Sequence, residues 1–107
     1  MTNDEMRDAL SNWAIQFGIR IFTEDGGGFW QLVTADGMAF GDPLESLDCV
    51  ATLEARLTDE QWHAYSVILG NEYFPNGWQD WRDTRALLSL TAEQRCRALV
   101  AALNLSL

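Results

Sequence analysis

The sequence predicts an α+β fold, a small three-stranded antiparallel sheet packed with about four helices in the order α-β-β-β-α-α-(irregular)-α. Three observations carry this. Capping boxes and amphipathic stripes open and close the chain; two adjacent helix-start signals stand between Asp42 and Leu69; and short runs rich in β-branched and aromatic residues, parted by glycine turns, lie between them. At 107 residues the chain is a single domain, 1–107, able to bury roughly 65% of its unfolded surface in one core.

Thr2 with Glu5 forms a capping box, and Met6, Leu10, Trp13 and Phe17 follow at helical spacing until Gly18. A first helix is therefore expected between them. IRIFT (19–23) reads as a strand, Asp25-Gly26-Gly27-Gly28 as a turn, FWQLVT (29–34) as a second strand, Ala35-Asp36-Gly37 as a tight turn, and MAF (38–40) as a short third strand. A sheet this small needs helices on at least one face.

Asp42, Pro43 and Glu45 form a helix start, predicting a helix from about Pro43 with Leu44, Leu47, Val50, Ala51 and Leu57 on its apolar face. Thr58 with Gln61 is a further capping box, so the chain turns and restarts there. The next helix puts Trp62, Tyr65, Ser66 and Leu69 on one stripe and is expected to end at Gly70. NEYFPNG (71–77) reads as a loop. Residues 78–90 suit a short helical or irregular piece followed by an extended one. Thr91 with Gln94 opens the last helix, striped by Ala92, Cys96, Leu99, Val100 and Leu103.

The formal net charge is −9, without a single lysine. Residues 1–81 hold 14 acids and 3 arginines, a net −11, whereas residues 82–107 hold 2 acids and 4 arginines, a net +2. Such a chain is repelled by nucleic acid and anionic membrane and attracted to basic surfaces. The two central helices form a helix-turn-helix in geometry only, because six acids and one arginine cannot neutralise phosphates. Solubility alone is the bland explanation of the acid excess. Met1 leads into TNDEMRD, which lacks the basic start and apolar run of a secretory signal, and no segment approaches the roughly 18 apolar residues of a membrane span. A cytoplasmic setting is expected, and with it free buried thiols at Cys49 and Cys96 rather than a disulfide.

No catalytic, metal or cofactor motif stands out. His63, the only histidine, projects away from the Trp62 stripe, and the cysteines lie within predicted helices, so Cys-His chemistry is not expected. Two cysteines and one histidine lack zinc spacing. Asp25-Gly26-Gly27-Gly28 lacks the lysine and helix of a phosphate loop, and Asp42, Glu45 and Asp48 lack the compact loop of an EF-hand. Glu54 projects between Leu47 and Leu57, an odd place for a carboxylate, and is read as a structural polar residue paired with a C-terminal arginine. Arg82, Arg85, Arg95 and Arg97 are expected in internal ion pairs. Tyr73, Phe74, Trp78 and Trp81 either pack into the core or form an exposed anchor patch bordered by acids.

The run LDCVATLEARLTDEQ (47–61), followed by LTAEQRCRALVAAL (90–103), resembles small phage and prophage accessory proteins of the phage ABA-sandwich type. Those proteins show a Leu-Asn-Ala-Met-His-Glu helix, a Thr-Asp-Glu-Gln boundary and a final helix opening Thr-Ala-x-Gln-Arg. Trp13 and Trp30 suit their N-terminal helix and tryptophan-containing strand, and Glu54 matches their glutamate; Asp48 and Ala51 depart from their asparagine and histidine. The resemblance implies a layered fold of helices and a small sheet and a phage origin, with no assigned reaction. Charge and resemblance together lead to the expectation of a non-enzymatic inhibitor of a host protein, such as an anti-CRISPR protein acting as a nucleic-acid mimic in an infected bacterium. Its partner would be a host protein with a basic, nucleic-acid-binding surface. The partner-binding candidates are Asp36, Asp42, Glu45, Asp48, Asp59, Glu60, Glu72 and Asp80 with Tyr73, Phe74, Trp78 and Trp81. The alternative is a phage regulatory or assembly domain, self-associating through the aromatic patch.

Overall fold

The computed structural model describes residues 1–24, 29–73 and 90–105. Over these the chain is α+β, in the order helix α1 (Asn3–Ala14), strands β1 (Arg20–Glu24), β2 (Phe29–Val33) and β3 (Ala39–Phe40), then helices α2 (Leu47–Glu54), α3 (Asp59–Tyr73) and α4 (Ala92–Ala102). The sheet is an antiparallel meander in the order β1-β2-β3, with Arg20 opposite Val33 and Leu32 opposite Phe40.

All three Thr boxes form. Thr2, Thr58 and Thr91 each accept the backbone N–H of the residue three places on, and the Glu or Gln side chain there accepts from the threonine amide in return. Two orphan donors are thereby satisfied at each helix start. After Ala14 the chain tightens into a 3₁₀ turn, Ile15–Phe17, and stops at Gly18 with φ of 75°. Gly37, at φ 86°, turns β2 into β3, where the Thr34 amide donates to the Met38 carbonyl.

α1 lies on β1, where the Ile21 amide donates to Ser11 Oγ at 3.2 Å. α4 packs chiefly on α3 and also touches α1 and α2. One core joins them, built from Met6, Leu10 and Ala14 of α1, Ile21 and Leu32 of the sheet, Cys49, Val50 and Leu53 of α2, Tyr65 and Leu69 of α3, and Cys96, Ala98 and Leu99 of α4.

The central stretch differs from the expectation in three ways. The helix starts at Leu47, not Pro43: Asp42 closes a single turn, accepting the Leu44 amide on Oδ1 and the Glu45 and Ser46 amides on its carbonyl, and extended Ser46 then caps α2. That break uncouples the two leucines, so Leu44 is buried while Leu47 is 49% exposed. It also turns Cys49, Val50 and Leu53 inward and leaves Ala51 exposed. Burial of a leucine contributes roughly 1.5–3 kcal/mol, so fully buried Leu53 outweighs half-exposed Leu47 in setting the helix rotation.

Secondly, α3 runs past Gly70 to Tyr73. A glycine inside a helix costs only about 1 kcal/mol, and here Leu69 before it and Tyr73 after it both pack on the core. Asn71, Glu72 and Tyr73 are thus helical rather than loop. Thirdly, Trp62 is 48% exposed, with its ring edge-to-face on Tyr65. The 25–28 turn, the Pro75 loop and the 78–89 piece lie outside the described residues.

A Cβ at Gly18 would sit 2.7 Å from the Ala35 side chain, whereas one at Gly37 meets nothing within 4 Å. Both positions carry the left-handed penalty of roughly 1–2 kcal/mol. Gly18→Ala should therefore lose clearly more stability than Gly37→Ala, and urea unfolding of the two variants checks the order.

Candidate interaction surface

Acidic residues crowd the helix starts. Asp4 and Glu5 lie in the first turn of α1, Asp48 in that of α2, Asp59 and Glu60 in that of α3 and Glu93 in that of α4. A carboxylate there faces the positive end of the helix dipole. None of these helices carries a basic residue in its last turn.

Arg7 joins two of the acid-rich segments. Its Nε and Nη2 form a fork on the Asp42 carboxylate at 3.0 and 2.5 Å, Nη1 donates to Asp4 at 2.8 Å, and the guanidinium carbon stands 5.2 Å from the centre of the Trp30 ring. Asp42 raises the guanidinium pKa further above its already high ordinary value. Arg7 thereby ties α1 to the turn at 42–45. Asp4, Asp8, Glu45 and Asp48 are exposed.

The predicted partner-binding residues separate accordingly. Glu45, Asp48, Asp59, Glu60 and Glu72 are exposed, and among the described residues no arginine lies in ion-pair range of them. Asp36 is exposed and bonded to the Thr34 hydroxyl, which holds its carboxyl below the usual range. Asp42 stands apart from them: its side chain is only 12% exposed and is held by Arg7, so that it shapes the turn before α2. Tyr73 packs partly on the core. Phe74, Trp78, Asp80 and Trp81 lie outside the described residues. Sequence reasoning missed Asp4 and Asp8 as surface acids and Arg7 as the link from Asp4 to Asp42; the Asp4 to Arg7 spacing of one helical turn was a signal, but the partnership with Asp42 left none.

Glu54 has the structural place its projection predicts. Its side chain is 14% exposed, Oε2 accepts the Tyr65 hydroxyl at 2.7 Å, and Arg95 Nη1 of α4 stands 3.7 Å from the same oxygen. Burial and this carboxylate push the Tyr65 phenol far up. Arg97 pairs with Glu93, also within α4; Arg82 and Arg85 lie outside the described residues.

Both thiols are free and buried, and they rest on one turn: Cys49 Sγ donates to the Gly41 carbonyl at 2.9 Å and Cys96 Sγ to that of Pro43 at 3.2 Å. Burial pushes the Cys49 thiol up and the Cys96 thiol up to about 12, and nearby Asp42 adds to both shifts. Nothing here favours a thiolate nucleophile. His63 is exposed. Among the described residues no group of three or more His, Cys, Asp or Glu side chains is placed to hold a metal ion, and no helix is long and apolar enough to cross a membrane.

Comparison of the chain with protein families, characterised proteins and solved structures returns no match.

Glu54→Gln keeps an acceptor for Tyr65 but removes the charge opposite Arg95, and should lower stability by about 1–3 kcal/mol. An unchanged melting temperature would refute the paired, half-buried carboxylate. Arg7→Ala, which strands Asp42, should cost about 2–4 kcal/mol, and Arg7→Lys should recover only part of that, lacking the planar fork; chemical denaturation of the pair measures both. The neutral Cys96 thiol supports the fold fully below its unfolded pKa near 9, and that support is lost as pH rises towards about 12. Unfolding midpoints taken from pH 8 to 11 should fall more steeply for the unaltered chain than for Cys96→Ala.

Proposed function

We propose that this chain is a non-enzymatic, acidic binding protein that occupies the basic, nucleic-acid-binding surface of another protein and so inhibits it, in the manner of a phage-encoded anti-defence or anti-CRISPR protein. The observation that carries the reading is the Arg7 clamp. It ties α1 to the turn before α2, and exposed Asp4 and Asp8 lie on α1, Glu45 in that turn and Asp48 in the first turn of α2. Carboxylates held at fixed positions imitate the phosphate field of a nucleic acid better than carboxylates on loose segments, because no ordering of the surface is needed on binding. Asp59, Glu60 and Glu72 extend the exposed negative charge along α3.

A second reading, self-association through aromatic residues, is favoured by a different observation: Trp62 is 48% exposed on α3. In that case the acid excess serves solubility. Sedimentation separates the readings, since a concentration-dependent dimer lost in Trp62→Ala belongs only to the second.

Contacts that replace phosphates release counterions from the partner, so mimicry must weaken steeply with salt. A pull-down from bacterial lysate should recover a nucleic-acid-binding protein at about 50 mM salt and lose most of it at about 200 mM. The variant with Asp4, Asp8, Glu45 and Asp48 changed to their amides should recover little at either concentration while remaining folded. A complex indifferent to both changes would overturn the proposal.

A further inference from the structure

We draw no further inference here: the strongest candidate, the outer face of the three-stranded sheet, where Phe22, Phe29, Val33 and Ala39 stand with Arg20, is an apolar face of which nothing in the structure shows what covers it.

Discussion

One guanidinium decides how the sheet and the helices meet. Arg7 leaves α1, passes the Trp30 ring of β2 and ends in a two-pronged bond to Asp42, the residue that shapes the turn before α2. The carbonyls on either side of Asp42, those of Gly41 and Pro43, accept the thiols of α2 and α4. One charge-assisted contact thus fixes a turn on which two further helices rest. Its strength comes from partial burial: little water competes for either partner, and removing one would leave the other desolvated and unpaired.

The unusual acidity has a structural share and a surface share. Six carboxylates lie in first helical turns, where the dipole compensates their mutual repulsion. Glu54 and Asp42 are drawn inward and paired, each knitting elements distant in sequence. Among the described residues, Glu45, Asp48, Asp59, Glu60 and Glu72 project into solvent with no arginine in ion-pair range. The division explains how so negative a chain can stay compact: the charges nearest the core are neutralised, and the unneutralised ones stand where water screens them.

Most of the architecture was legible because it is written in local signals. Thr-x-x-Glu and Thr-x-x-Gln boxes located three helix starts, and Gly18 and Gly37 located two turns. Glu54 could be read as an internal partner of an arginine because helical projection set it against leucines. Failure came where a tertiary contact overruled a local one. Asp42 has every attribute of a helix cap, but Arg7 holds its carboxylate and the chain makes one turn before restarting at Ser46. Gly70 looks like a terminator, yet packing by Tyr73 carries α3 onward. Trp62 shares a helical stripe with Tyr65 and Leu69, and those two are buried as the stripe implies, but Trp62 at the start of α3 stays half-exposed. At the candidate surface the exposed acids could be read one by one, whereas their grouping through a contact between residues 7 and 42 could not.

The bond from the Ile21 amide to Ser11 bears on how the molecule behaves in a crowd. Among the described residues β1 is an outermost strand, and such a strand ordinarily offers amides onto which a neighbouring molecule can add itself, the first step towards fibrils. Here a serine hydroxyl from the molecule's own helix occupies one of those rungs. Strand addition along that rim would have to break a contact already made, while the opposite rim, β3, is only two residues long.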